Sequence, residues 1–181
     1  MTSDDPSQVP GNASPDVKRS VARLLDAFLL TRSKGEEAGF ADAIGKRLKL
    51  TEVSIEPKRD EEGKTECRVV CEIDVASDML NGGRTMHGGC SAYLIDDCSS
   101  LPLAAHALAT GVGSTTSGVS QALNIVYHAP ALKGDKLRIV STTIAVGSRT
   151  MSARCEIWND THHRLVASGV HIKMEPSRAK L

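Results

Sequence analysis

The sequence predicts an α+β class, one antiparallel sheet with a single long helix lying against it. Three observations carry this. Over residues 48–75 the apolar period changes from 3.6 to about 2, the spacing of half-buried strands. Cys90 to Leu108 is then an Ala- and Leu-rich stretch whose length argues helix and whose lack of a wide polar face argues burial. Four more strand patterns follow it without another helical one.

Each element has its own signal. Residues 1–15 are rich in Ser, Asp, Pro and Gly and are expected to be a disordered N-terminus. They contain no apolar stretch of the kind a secretory signal needs. A helical extension spans 16–47. Asp16 is placed to cap it, and Val17, Val21, Leu24, Leu25, Phe28 and Leu29 share one face. A polar stretch, Ser33 to Gly39, leads to a short helical turn at Phe40 to Ile44.

The main domain is expected over 48–176. Leu48, Leu50, Val53 and Ile55 suggest its first strand. Cys67, Val69, Cys71, Ile73 and Val75 alternate with polar residues in a second, and the polar run Lys58 to Lys64 joins the two. A Gly-rich loop, Asn81 to Gly89, precedes the long helix. Pro102 predicts a kink or break inside that helix. After Gly111–Gly118, strands at Val119–Tyr127, Lys136–Val146, Met151–Trp158 and Leu165–Ile172 are expected to complete a meander. Gly147-Ser148-Arg149 and Asn159-Asp160 mark its turns. Residues 177–181 form a tail.

Composition narrows the function. The 22 basic and 22 acidic residues balance to a formal net charge of zero, which gives no electrostatic argument for nucleic acid. No apolar run approaches the roughly 20 residues of a membrane span. Aromatics are only 3 %, so the core must be built from aliphatic residues and Met. Five cysteines, an odd number without C-x-x-C spacing, read as reduced thiols of an intracellular protein. His162-His163 lacks further ligands at a suitable spacing, so no metal site is expected.

Two places can carry chemistry. Gly88 and Gly89 lie where the loop becomes the helix, so their N–H groups lack intrahelical acceptors and feel the positive end of the helix dipole. Such donors stabilise an oxyanion; two glycines that merely permit a tight turn are the plain alternative. Asp96 sits nine residues after His87 amid Tyr93, Leu94 and Ile95. A carboxylate in that company is costly unless partnered or used. Asp97 is its rival. Gly147-Ser148-Arg149-Thr150, at a strand turn, offers backbone N–H groups and a guanidinium to phosphates, with a solvated surface charge as the alternative.

Four blocks in order, N-G-G-R-T-M-H-G-G-C-S-A-Y-L-I-D, G-V-S-Q-A-L-N-I-V-Y-H-A-P-A, G-D-K-L with V-G-S-R-T, and L-V-A-S-G-V-H-I-K, resemble hotdog-fold acyl-CoA thioesterases of the phenylacetate-degradation and small animal type. The resemblance spans about Leu48 to Lys173. It implies a sheet curled around the long helix, and a homodimer or dimer-of-dimers tetramer with shared active sites. It implies an acyl-CoA thioester hydrolase without a cofactor, CoA being part of the substrate. Gly88 would supply the oxyanion N–H, and Asp96 of the partner chain would act as general base or nucleophile. Ser120 would orient the water or carboxylate. Asn81 would donate to the carbonyl or hold the water, and His87 would position Asn81. Gly89, Tyr127, Pro130, Gly147, Ser148, Arg149, Thr150, His171 and Lys173 would meet the acyl-CoA. No Ser-His-Asp set is evident around Ser120. A hotdog hydratase or dehydratase, and a non-catalytic acyl-CoA binding module, are the rival functions. The ending Ala179-Lys180-Leu181 resembles a peroxisomal address read by an import receptor, with cytoplasm or mitochondrion as alternatives.

Overall fold

The structure, a computed structural model, describes residues 5–30, 39–113 and 118–175, without the side chains of 27–30. Most of the Ser33–Gly39 stretch, part of the Gly111–Gly118 loop and the tripeptide Ala179-Lys180-Leu181 lie outside the described residues.

Six strands form one antiparallel sheet: β1 (Lys49–Pro57), β2 (Thr65–Asp74), β3 (Val119–Tyr127), β4 (Lys136–Val146), β5 (Thr150–Asn159) and β6 (Arg164–Met174). Their order is β1-β2-β4-β5-β6-β3. The expected meander therefore holds only for β4-β5-β6. β3 crosses to the far edge and pairs with β6, Leu123 opposite His171 and Tyr127 opposite Ala167. A period-2 pattern says which residues face the core and nothing about which strand lies alongside, so this crossing was not legible.

The long helix, α3 (Gly88–Thr110), packs on the inner face of the sheet. Leu94, Ile95, Leu101 and Ala105 are sealed against Cys67, Val69, Cys71, Ile139 and Ile157. The expected break is absent: α3 continues through Pro102, which is buried between Leu101 and Leu103. Packing on both flanks holds the helix where one backbone bond is missing. α1 (Pro15–Leu30) lays Val17, Val21 and Leu25 against α3, and α2 (Asp42–Gly45) is one short turn. All five cysteines are buried free thiols.

Residues 5–14 are ordered, contrary to the reading from composition. Pro6–Gln8 form a 3-10 turn. Ala13 N–H donates to Val53 O at 3.2 Å, and Val53 N–H donates to Pro10 O at 2.9 Å. Asn12 pairs through both ends of its amide with the backbone of Ile55. Lys18 Nζ anchors the strap by donating to Gly11 O at 2.8 Å. The outer edge of β1 offers unpaired backbone groups, and this polar segment satisfies them.

Candidate active site

The entrance to α3 is built from the loop before it. Asn81 N–H donates to Thr85 O at 2.8 Å, and Arg84 takes the left-handed conformation (φ 61°) that closes the turn. Met86 N–H donates to Ala131 O and His87 N–H to Met79 O, each at 2.8 Å, which pins the last two loop residues. His87 is then the N-cap of α3. Its Nδ1 accepts from Gly89 N–H at 2.9 Å, which assigns the proton of a neutral ring to Nε2. His87 O accepts from Cys90 and Ser91.

This arrangement separates the two glycines. Gly89 N–H is spent on the cap, so it is not a second oxyanion donor in this state. Gly88 N–H has no hydrogen-bond partner among the described residues. Gly88 lies against Tyr127, whose hydroxyl donates to Gly88 O at 3.1 Å. A Cβ on Gly88 would stand 3.4 Å from the Tyr127 ring. Met86, Ser91, Tyr127, Pro130 and Val166 line a groove of about 360 Å³ beside Gly88. Tyr127 and Pro130 thus border the glycine.

Asn81 and His87 are not a pair. Asn81 Oδ1 accepts from Gly83 N–H and Thr85 N–H at 2.9 and 3.2 Å, and its Nδ2 donates to Thr85 Oγ1 at 3.0 Å. Asparagine here shapes the turn and keeps one amide hydrogen uncommitted. His87 orders the helix start directly, through Gly89.

A second cluster surrounds Asp96, whose side chain is 48 % exposed. Ser120 Oγ donates to Asp96 Oδ1 at 3.4 Å. His171 Nε2 lies 2.9 Å from Ser120 Oγ and 3.5 Å from Asp96 Oδ1, and its Nδ1 lies 2.7 Å from Ser99 Oγ. Serine, histidine and aspartate therefore do meet here, which their distance in sequence hid. They do not form a relay triad, because Ser120 and Asp96 approach the same ring nitrogen while Ser99 holds the other. Burial, then the Lys173 charge, lowers the pKa of His171 from its ordinary value. The ring is accordingly neutral at neutral pH.

His171 is fully buried and Lys173 is only 5 % exposed, its Nζ donating to Ser100 Oγ at 2.8 Å. Neither presents a charge at the surface of the single chain. Their β6 side chains point inward at α3, and register alone decides that. Asp97 is held by Tyr93, and burial foremost raises its carboxyl to about 6. Ser99 and Ser100 were missed; two adjacent hydroxyls inside an apolar helix were the available signal.

The turn between β4 and β5 stands apart. Gly147 N–H donates to Thr150 O at 3.1 Å, Arg149 O accepts from Glu175 N–H, and the side chains of Ser148, Arg149 and Thr150 are exposed. Gly147 and Thr150 line a cavity of about 710 Å³ with His106 and Thr110, at the opposite end of α3 from Gly88. Within one chain this turn is not brought to the groove.

A long helix cradled in a curled six-stranded antiparallel sheet, with a carboxylate on that helix and a bare N–H at its start, defines the hotdog class. The family described as thioesterase superfamily matches residues 83–166. Human acyl-coenzyme A thioesterase 13 is 33 % identical over 106 residues, covering 59 % of this chain and 71 % of the relative. The mouse protein of that name is 31 % identical over 125 residues, covering 69 % and 79 %. The chain belongs to the thioesterase superfamily. Zebrafish thioesterase superfamily member 2 shares its fold at a TM-score of 0.65, with 25 % identity over 87 % of this chain and 97 % of that one. The PaaI protein from the phenylacetic acid degradation operon of E. coli, at 19 % identity and a TM-score of 0.60 over 88 % and 95 %, is alike in fold.

Proposed function

We propose that this protein hydrolyses an acyl-CoA thioester, with a medium or long fatty chain or an aryl group, to the free acid and CoA. The class, an acyl-CoA thioester hydrolase, rests on the family and on the relatives named acyl-coenzyme A thioesterase. The observation that carries the mechanism is the partnerless Gly88 N–H at the start of α3, facing a groove. It donates to the thioester oxygen as negative charge builds there, an effect worth about 2.7–4 kcal/mol per donor. The dipole of α3 adds to it.

Asp96 supplies the other half. As general base it takes a proton from water while the water oxygen attacks the carbonyl carbon and the CoA thiolate leaves. As nucleophile it would form an acyl anhydride that water then opens. Ser120 holds Oδ1 in either case. Eight residues of α3 separate Gly88 from Asp96, about 12 Å along the axis, so one carbonyl cannot meet both groups of a single chain. The reading therefore requires a second copy, with Gly88 of one protomer facing Asp96 of its partner across a dimer or dimer-of-dimers tetramer. Asn81, through its uncommitted hydrogen, and the 147–150 turn, through Arg149, serve substrate in that assembly. No cofactor is invoked, so EDTA should leave turnover unchanged.

Thiol release from a panel of acyl-CoAs tests the reading. Wild type should turn over at least one of them, and Asp96→Ala should lose about 10²–10⁴-fold in kcat with a modest change in KM. Equal rates for the two proteins would refute the assignment of Asp96. The ending Ala179-Lys180-Leu181 supports a peroxisomal location. A fluorescent fusion lacking those three residues should lose its punctate distribution.

A further inference from the structure

Four serine and threonine hydroxyls lie on α3, and three of them turn back onto the helix. Ser99 and Ser100 bond Asp96 O at 3.2 and 3.0 Å, and Thr110 bonds His106 O at 2.8 Å. A carbonyl one turn back is the usual partner of a helical hydroxyl. Ser91 is the exception. The carbonyl one turn behind it, His87 O, already accepts from the N–H groups of Cys90 and Ser91 at 2.8 and 3.1 Å, which fills both lone pairs. The Ser91 hydroxyl makes no hydrogen bond among the described residues, although Ser91 is only 2 % exposed. It opens instead onto the groove beside Gly88, which both residues line. A buried hydroxyl left without a partner is costly, and one that faces a cavity is completed by whatever enters it.

The place of this hydroxyl is specific. Gly88 and Ser91 are the first and fourth residues of α3, and residues three apart share a helix face at about 5–6 Å from each other. A helical Cα–Cβ bond tilts toward the N-terminus, so Ser91 leans over the turn that Gly88 begins. One oxygen set between the two is within about 3 Å of both donors. Gly89 N–H cannot take that second place, because His87 Nδ1 holds it at 2.9 Å.

We propose that Ser91 is a catalytic residue, the second donor to the thioester oxygen: Gly88 N–H and Ser91 Oγ–H of one protomer hold the same oxygen as negative charge builds on it.

This rests on the thioesterase reading given above and adds a residue to it. Ser91 keeps its proton and forms no bond to carbon. Among the described residues, the histidines that touch a serine hydroxyl touch Ser99, Ser120 and Ser168, so no base is in place to make Ser91 a nucleophile. Met86, Ala131 and Val166 give the groove an apolar wall, and a hydrogen bond made against such a wall is stronger than one in water.

The test is thiol release from the acyl-CoA panel by full-length variants, with Tm measured on each. Ser91→Ala should lower kcat about 10–100-fold with KM within about twofold. Its Tm should equal or exceed that of wild type, because alanine removes an unpartnered hydroxyl and is the better helix former. Ser91→Cys keeps the shape with only a weak donor, so its kcat should fall with that of Ser91→Ala. Wild-type kcat in either variant would overturn the proposal. So would a raised KM with unchanged kcat, which makes Ser91 a ground-state contact. A loss of kcat that comes with a fall of several degrees in Tm would also overturn it, by making the hydroxyl part of the fold. Asp96→Asn, run alongside, separates the two layers. If it is inactive while Ser91→Ala matches wild type, only the role of Ser91 fails. If wild type hydrolyses no acyl-CoA of the panel, the thioesterase reading fails and Ser91 falls with it.

Discussion

The two edges of the sheet are treated in opposite ways. At β1 the N-terminal strap satisfies the edge: Pro10 and Ala13 bond Val53, and Asn12 bonds Ile55. At β3 no described residue pairs with the outer side, and Val119, Val126 and Tyr127 are 49 %, 58 % and 57 % exposed. An open edge carrying apolar side chains invites pairing with another chain. β3 is also the strand whose ends touch the site, Ser120 at Asp96 and Tyr127 at Gly88. The chain closes the edge remote from Asp96 and Gly88 and leaves open the edge that touches both. The proposed mechanism needs a second copy, and this open edge is the surface the fold offers to one.

The sharpest way to break this comparison is Val126→Lys, which puts a charge on the open edge without touching Asp96 or Gly88. We expect a folded monomer in sedimentation with activity reduced at least about 100-fold, because proximity of the two half-sites is lost. A fully active monomer would remove the reason for the open edge. The effect of Asp97→Asn, beside Asp96 on α3, is smaller. Burial raises Asp97 from an ordinary 3.8 to about 6, so the fold favours its proton. That contribution to stability is complete below pH 3.8 and is lost as pH rises through about 6. The permanently neutral Asn variant should therefore melt higher than wild type at pH 7.5, by about 1–2 kcal/mol after discounting for partial exposure. At pH 3.5 the two should melt alike. Smallest of all is Asn12→Ala at the closed edge. Losing its two bonds to Ile55 should cost about 1–2 kcal/mol, a fall in Tm of roughly 2–8 °C, with turnover unchanged. Loss of activity from that variant would mean the strap does more than close an edge.

The elements were legible because their signals are local. Val119–Tyr127 and Lys136–Val146 are strands with the same bounds the alternation predicts. The partnerless N–H of Gly88 was legible because a helix start leaves donors without intrahelical acceptors wherever it occurs. Which of two adjacent glycines keeps its N–H was not legible, since it turned on the His87 ring swinging back to Gly89. The strap was misread because Pro-, Ser- and Asn-rich segments also serve as edge caps when an edge is at hand.

By itself the sequence determined the six strands and the long helix, and named the two residues, Gly88 and Asp96, on which the proposed site is built. These follow from periods of 3.6 and 2 and from the chemistry of a helix terminus. Only the tertiary structure decided that β3 lies beside β6. That neighbour relation brought Ser120 beside His171 and both of them to Asp96. Strand pairing depends on backbone groups that every residue carries alike, so no side-chain pattern announces it. The buried polar groups at Asp96 follow from that pairing.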